Sequence, residues 1–228
     1  MKSSLTAMNL EQARVNMIEQ QIRTWDVLNQ QVLQTLVAIR REAFVPAAYQ
    51  SLAFFDTEIP LPGGENMLSP KMEARLLQEA AISDDESVLE IGAGSGYMAA
   101  LLAHHARHVT TVDILPELKQ LAEKNLANYG IANVNVELGD GAHGWAGAGH
   151  RSAPWDVIII SGALPVLPQV FLEQLRVGGR LLAVIGEAPV MSACLVTRTK
   201  DDAWDKRTLF ETCITPLHNA ETPSAFHF

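Results

Sequence analysis

Residues 88–100 read VLEIGAGSGYMAA and carry the strongest structural signal in this chain. A short apolar run containing the acid Glu90 leads into glycine at every second position, at Gly92, Gly94 and Gly96, and an alanine-rich helical pattern follows. This order predicts a buried strand, a tight loop and a helix whose N-terminal N–H groups face the carboxyl end of the strand. A crevice of this kind suits a nucleoside that carries a charged or polar tail.

The spacing of the glycines separates two classes of nucleotide-binding loop. The dinucleotide pattern G-x-G-x-x-G needs a third small residue where this chain has Tyr97, which is too large for close packing of helix on strand. That mismatch argues against the alternative of a nicotinamide-dependent oxidoreductase. The observed G-x-G-x-G pattern instead resembles motif I of the S-adenosylmethionine-dependent methyltransferases. The resemblance implies S-adenosyl-L-methionine as cofactor and S-adenosyl-L-homocysteine as product, bound by Glu90, Gly92, Ala93, Gly94, Ser95 and Gly96.

Beyond the glycine loop the chain alternates strand-like and helix-like segments. Such alternation predicts an α/β fold with a doubly wound, mostly parallel seven-stranded sheet of the Rossmann-like type. The last two strand-like runs flank a polar turn and predict an antiparallel hairpin at the end of the sheet. The predicted strands cover residues 88–91, 108–113, 133–138, 156–162, 180–186, 191–199 and 206–215.

The region before residue 70 predicts a helical extension of the sheet. Apolar residues at helical spacing predict one helix over residues 9–23 and a second helix capped by Asp26. Ser69 and Pro70 predict the N-cap and first position of a third helix. We therefore expect residues 1–69 to form a helical lobe with a substrate-side loop, and residues 70–228 to form the cofactor-binding core of one integrated catalytic domain.

Two acids follow the second and third predicted strands, where open α/β sheets bind their ligands. Asp113 lies about 20 residues after Gly92, the separation expected for an acid that accepts both ribose hydroxyls. Capping of the next helix is an alternative role that Asp113 can combine with ribose binding. Asp140 stands between two glycines, and the matching acid of the methyltransferases accepts the adenine amino group; a plain Asp-Gly turn is the alternative. The predicted cofactor set is completed by Ile114 and Gly141.

Composition limits the classes of partner. The formal net charge is −9 and no basic run occurs, which argues against a nucleic-acid substrate. The two cysteines, Cys194 and Cys213, have no paired spacing, so neither a disulfide framework nor a zinc site is indicated. No apolar stretch approaches the length of a membrane span. We therefore expect a cytoplasmic protein without membrane partners and without a bound metal.

Six segments, spread from about residue 14 to about residue 217, resemble the protein-L-isoaspartate O-methyltransferase family. The resemblance implies methyl transfer to the α-carboxylate of L-isoaspartyl residues in damaged peptides or proteins, followed by collapse of the ester to a succinimide. A carboxylate is already a nucleophile and the sulfonium a strong electrophile, so positioning supplies most of the rate and neither a metal nor a general base is needed. The segments are MIEQQI (17–22), FVPAAY (44–49), VLEIGAGSGY (88–97), GDG (139–141), LEQLRVGGRL (172–181) and TPL (215–217).

One position departs from the family pattern. The family carries Thr-Ile-Ser-x-Pro before the third helix, and its serine helps to hold the isoaspartyl carboxylate. Aligned on Pro70, the serine position holds Leu68, and Ser69 stands one residue later. Ser69 is therefore the candidate catalytic-site hydroxyl, with helix capping as its competing role. The alternative function is that of a divergent paralogue, which binds S-adenosylmethionine but methylates a different acceptor or lacks isoaspartyl activity.

Overall fold

A computed structural model describes residues 2–148 and 151–222 of the chain. The helices of this part follow the amphipathic segments, and none combines the length and hydrophobicity that a bilayer-spanning segment requires. In chain order they are α1 (Lys2–Met17), α2 (Gln30–Ala38), α3 (Pro70–Ala80), α4 (Tyr97–Ala103), α5 (Pro116–Tyr129) and α6 (Gln169–Glu173).

The strands belong to one large sheet and two short hairpins. The large sheet has the order β11-β10-β9-β8-β3-β4-β5, and the short pairs are β1 with β2 and β6 with β7. Their bounds are β1 (Ile59–Pro60), β2 (Asn66–Met67), β3 (Ser87–Ile91), β4 (His108–Asp113), β5 (Val134–Leu138), β6 (Gly147–Ala148), β7 (Arg151–Ser152), β8 (Trp155–Leu164), β9 (Leu175–Glu187), β10 (Val190–Lys200) and β11 (Ala203–Thr212).

Five neighbouring strands of the large sheet, β9, β8, β3, β4 and β5, are parallel. β10 runs antiparallel to both β9 and β11, which form its two neighbours. Every residue of β3 is buried, as expected for a strand covered by helices on both faces. The predicted doubly wound seven-stranded sheet with an antiparallel C-terminal hairpin is therefore confirmed.

The register of the parallel strands brings their carboxyl ends to one edge of the sheet. Ile91, at the end of β3, is level with Val112 of β4 and with Ile160 of β8. Asp113, at the end of β4, is level with Leu138 of β5. The glycine loop and the two strand-end acids consequently open onto the same edge, where such folds bind ligands.

The start of α2 differs from the prediction. Asn29 is its N-cap, because the side chain accepts hydrogen bonds from the N–H groups of Gln31 at 2.9 Å and Val32 at 3.4 Å. Asp26 instead has a φ of 61°, a left-handed conformation that ends the preceding helical turn. The prediction that Asp26 caps the second helix is wrong, since a left-handed residue closes a turn and does not start one. The first helix is also longer than predicted and continues into a π-helical turn at Ile18–Ile22.

The N-terminal lobe and the sheet share one hydrophobic core. Buried residues of the lobe, among them Ile22 and Phe44, belong to the same apolar cluster as Val88 of β3. The ring centroids of Phe44 and Tyr97 lie 5.4 Å apart, which ties the lobe to the first turn of α4. The division into residues 1–69 and 70–228 stays a prediction, and residues 223–228 of the second unit lie outside the described part. The shared core explains how the lobe holds one wall of the candidate site against the sheet.

Candidate active site

A cleft of about 710 Å³ lies at the carboxyl ends of β3, β4, β5 and β8. A smaller cavity of about 290 Å³ adjoins it at the glycine loop. Together they are lined by nine of the ten predicted cofactor-binding residues, so the structure brings residues from three strand ends into one place. The large cleft contains Gly92, Gly94, Asp113, Ile114, Asp140 and Gly141. The small cavity adds Glu90, Ala93 and Ser95.

The glycine loop turns sharply at the end of β3. Gly92, Gly94 and Gly96 all have positive φ values, of 97°, 52° and 81°. Gly96 lines neither cavity; a Cβ there would lie 3.1 Å from the Cα of Ala122 on α5, which shows that this glycine permits close packing of the helix. The turn therefore needs all three glycines, but only the first two border the cleft.

Glu90 is held rigidly beneath the glycine loop. Its side chain is fully buried and accepts hydrogen bonds from the hydroxyls of Thr111 at 2.6 Å and Ser161 at 3.0 Å. Burial raises the pKa of Glu90 to about 8, because the two neutral hydroxyls only partly replace water around the charge. A cationic ligand group in the adjoining cavity favours the carboxylate form, so this acid suits the ammonium end of an amino acid.

Asp113 combines a turn-forming role with a place in the cleft wall. Its two carboxylate oxygens accept the N–H groups of Gly94 at 2.9 Å and Leu115 at 3.0 Å. Burial raises the pKa of Asp113, and these backbone hydrogen bonds oppose the rise. Each oxygen keeps a further lone pair for a hydroxyl donor. The side chain thus stabilises the glycine loop and the start of α5 while it presents acceptors to the cleft.

Asp140 is fixed by partners on both of its oxygens. The N–H of Ala142 donates to one oxygen at 3.0 Å, and the amide of Asn219 donates to the other at 2.9 Å. The residue before it, Gly139, has no room for a side chain, because a Cβ there would lie 2.3 Å from the ring of Trp145. The Trp145 indole therefore packs directly against this turn. Asp140 also lines the cleft, and adenine recognition by this residue stays a prediction.

Several residues of the cleft were missed by the sequence analysis. Ser161 and Gly162 end the strand predicted over residues 156–162, so the strand-end rule was a sufficient signal for them. In the structure they lie within β8, just after its pairing with β3 ends at Ile160. Residues 215–218 also line the cleft. The segment TPL (215–217) contributed to the family resemblance, but no local pattern assigns it to the site. The N–H of Leu217 donates to the carbonyl of Ala163 at 2.9 Å, and the His218 ring lies 2.7 Å from a Glu65 oxygen. Through these two contacts, residues 215–218 connect the end of β8 to the loop before β2.

A second cleft, of about 660 Å³, adjoins the first on the side of the N-terminal lobe. Glu58 and Leu68 line both clefts and therefore mark the junction between them. We call this second cavity the acceptor cleft. Its lining consists of Trp25, Glu58, Leu68, Ser69, Lys71 and Met72, with Glu211, Thr212, Cys213 and Ile214 from the end of β11 onward.

Ser69 occupies the N-cap position of α3, and Pro70 follows at the first helical position as predicted. The serine side chain makes no capping hydrogen bond; its backbone carbonyl accepts the N–H of Met72 at 3.1 Å instead. The predicted capping role of the hydroxyl is therefore wrong. Ser69 does line the acceptor cleft, so its hydroxyl is available to a ligand there.

A buried ion pair holds the residues of the junction in place. The Arg41 guanidinium and the Glu73 carboxylate are almost completely buried and form a direct hydrogen bond. Arg41 also donates to the carbonyl of Leu68 at 2.7 Å. Burial raises the pKa of the Glu73 carboxyl, and the charge of Arg41 counteracts that rise. One residue of the lobe thus anchors both α3 and the loop that carries Leu68.

Comparisons with known proteins identify the family of this chain. A family model described as protein-L-isoaspartate(D-aspartate) O-methyltransferase matches residues 12–222. Within the described residues, no group of three or more His, Cys, Asp or Glu side chains is arranged to hold a metal ion.

Curated relatives carry the name protein-L-isoaspartate O-methyltransferase. The relative from Brucella anthropi is 33% identical over 210 residues, which cover 92% of this chain and 94% of the relative. The relative from Koribacter versatilis is 36% identical over 213 residues, which cover 93% of each chain. Both alignments span nearly the full length of the proteins compared.

Solved structures show the same fold. One protein-L-isoaspartate O-methyltransferase superposes with a TM-score of 0.76 at 23% identity, covering 92% of this chain and 66% of the other. A second, described as a putative member from Plasmodium falciparum in complex with S-adenosyl-L-homocysteine, gives a TM-score of 0.73 at 16% identity and covers 91% of this chain and 97% of the other.

Proposed function

The chain belongs to the protein-L-isoaspartate O-methyltransferase family, and we propose that it transfers the methyl group of S-adenosylmethionine to the α-carboxylate of L-isoaspartyl residues in damaged proteins. The observation that carries the proposal is the junction of two clefts at Glu58 and Leu68. One cleft contains the glycine loop and the strand-end acids, and the other opens toward the N-terminal lobe. A donor and an acceptor bound in the two clefts meet at this junction.

The residues of the first cleft fit the proposed cofactor. In the proposal Asp140 binds the adenine amino group, Asp113 binds the ribose hydroxyls, and Glu90 with the glycine loop binds the amino-acid end. The positive φ values at Gly92 and Gly94 support this assignment, because side chains there would be strained and would fill the crevice. When bound, the cofactor supplies an electrophilic methyl group on a sulfonium sulfur.

The protein's task in this reaction is to hold the acceptor carboxylate in line with that methyl group. A carboxylate attacks without loss of a proton, so no general base is required, and orientation supplies most of the rate. The buried apolar side chains of Leu68 at the junction and of Ile91 in the first cleft exclude water from the reacting groups. Three residues of the segment 1–69, Trp25, Glu58 and Ser69, line the acceptor cleft. This supports the proposal that the lobe binds the acceptor while the core binds the cofactor.

The location and partners are part of the same proposal. We infer a cytoplasmic enzyme that acts on isoaspartyl peptides and binds neither nucleic acid nor membrane. The formal net charge of −9 supports the exclusion of nucleic acid, since phosphate binding needs clustered cations. Both cysteines are unpaired, one buried and one exposed, which is typical of a reducing compartment.

The direct test is transfer of labelled methyl from S-adenosylmethionine to an isoaspartyl peptide and to the same peptide with normal aspartate. Cofactor binding is measured on the same sample by calorimetry. Methylation of the isoaspartyl form alone is the expected result. Binding of the cofactor without methylation of either peptide would refute the proposal and favour the divergent paralogue, whose acceptor has changed.

A serine at the junction should improve the reaction. We expect Leu68→Ser to raise kcat/KM for an isoaspartyl peptide about tenfold, because a hydrogen bond to a charged group contributes roughly 1.5–3 kcal/mol and 1.4 kcal/mol is a factor of ten. Leu68→Ala is the matched control, since it removes the same buried side chain without adding a hydroxyl. Equal kcat/KM values for the two variants would show that a hydroxyl at this position does not reach the acceptor.

The pH dependence should report the charge of Glu58. Burial raises the pKa of Glu58, and its ionised form at the junction repels an anionic acceptor. We therefore expect the wild-type kcat/KM to fall as the pH rises through this raised pKa. Glu58→Gln should remove the fall, so that its kcat/KM exceeds that of the wild type by roughly 3- to 10-fold at the alkaline end of the profile. Glu19→Gln, at an exposed site in the lobe, should leave the profile unchanged. Parallel profiles for wild type and Glu58→Gln would contradict the prediction.

A further inference from the structure

The acceptor in the proposed reaction is an anion, but the junction presents the apolar side chain of Leu68 where the family has a hydroxyl. A different group must therefore balance the acceptor's charge. Among the described residues that line the acceptor cleft, Lys71 is the one cation. The other charged groups of that lining, Glu58 and Glu211, are acids that repel a carboxylate.

Lys71 is held at the wall of the acceptor cleft by two contacts. Its Nζ lies 2.6 Å from an oxygen of Asp56 and 5.1 Å from the centroid of the Trp25 ring. The side chain is 31% exposed, so the ammonium is neither withdrawn into the core nor free in solvent. An ammonium has three N–H donors, and Asp56 uses one of them. At least one further donor is thus available to a ligand in the cleft.

We propose that Lys71 binds the α-carboxylate of the acceptor and determines the preference of this enzyme for anionic acceptors. This inference rests on the proposed function and assigns a residue to its acceptor site. Ser69 and Lys71 line the same cleft, so an anion bound there has both the ammonium and the serine hydroxyl in the wall around it. Lysine suits this role because its compact charge sits on a flexible stem and can move from Asp56 to the bound carboxylate.

The experiment measures equilibrium binding of a fluorescent isoaspartyl peptide in the presence of saturating S-adenosyl-L-homocysteine. We expect Lys71→Met to weaken peptide binding tenfold or more, because the acceptor loses a hydrogen bond to a charged group. Lys71→Arg keeps the charge and should bind the peptide within about threefold of wild type. Lys200→Met is the matched control and should change nothing, because Lys200 ends β10 and pairs with Ala203, at the opposite end of β11 from the cleft.

Asp56→Asn separates a binding role from a structural one. If Lys71 binds the acceptor, removal of the competing Asp56 charge tightens peptide binding. If the Lys71–Asp56 pair serves only to hold the fold, the same change weakens binding or leaves it unaltered, and that result would overturn the inference. Wild-type affinity in Lys71→Met would overturn it as well. Steady-state data should agree, with KM raised more than kcat is lowered in Lys71→Met.

The outcomes for this inference and for the proposed function are distinguishable. If the wild type binds the isoaspartyl peptide but transfers no methyl group, the proposed function fails, while the comparison of Lys71 variants still decides the role of Lys71. If the wild type transfers the methyl group and Lys71→Met binds the peptide equally well, only the inference fails. If the wild type does not bind the peptide at all, both are refuted.

Discussion

Replacement of Asp113 by alanine is expected to weaken the binding of S-adenosylmethionine about 100-fold or more and to abolish methyl transfer at ordinary cofactor concentrations. Two ribose hydroxyls lose a charged acceptor, each worth roughly 1.5–3 kcal/mol, and 1.4 kcal/mol corresponds to a factor of ten. The N–H groups of Gly94 and Leu115 lose the same partner, so the glycine loop also becomes less well ordered. Titration calorimetry of wild type and variant measures the effect.

Two further variants sharpen this prediction. Asp113→Asn keeps the shape and one acceptor oxygen, and it should show an intermediate loss of affinity. Asp84→Ala, in the exposed turn before β3 and at the opposite end of that strand from the glycine loop, should bind the cofactor like wild type. A dissociation constant for Asp113→Ala within about threefold of wild type would contradict ribose binding, because a single charged hydrogen bond already exceeds that factor.

The stability of these variants should change much less than their affinity. Burial raises the pKa of Asp113, which means that folding disfavours the charged carboxylate despite its two backbone hydrogen bonds. At neutral pH, removal of that charge therefore relieves a cost that partly offsets the lost hydrogen bonds. A large loss of cofactor affinity in a variant with a nearly normal unfolding curve would assign Asp113 to ligand binding.

The parts of the site that depend on local sequence patterns could be predicted from the sequence. The strand and glycine loop at residues 88–96 and the acid Asp113 are linked by a fixed spacing, because adjacent parallel strands end at the same edge of the sheet. The sheet itself followed from apolar strands that alternate with amphipathic helices. In each case a local rule and the global fold require the same residues.

The rest of the site depends on contacts between residues far apart in sequence. Nothing near Leu217 indicates that it pairs with Ala163 across the end of β8. The need for Gly139 becomes visible only when the ring of Trp145 is seen to pack on it. Asp26 and Asn29 are both residue types that favour an N-cap, and only the backbone conformation shows that Asn29 holds that position.

The buried pair of Arg41 and Glu73 is the clearest example of such a contact and should have the largest effect on stability. We expect Arg41→Met to lower the free energy of unfolding by about 3–5 kcal/mol, because it leaves a carboxylate buried without its counter-charge. Urea denaturation measures this change. Arg23→Met removes an exposed ion pair with Glu19, where N and O lie 3.4 Å apart, and should cost less than about 1 kcal/mol.

A double variant distinguishes the cost of an unpaired charge from the loss of packing. Arg41→Met with Glu73→Leu removes both charges and should recover most of the lost stability, since apolar groups of similar volume replace buried ion pairs without large cost. The carbonyl of Leu68 still lacks its donor in this variant, so the loop at the junction is held less firmly. We therefore expect normal cofactor affinity but a raised KM for the acceptor peptide. Failure of the double variant to regain stability would show that Arg41 acts through packing and through Leu68, and not as the counter-charge of Glu73.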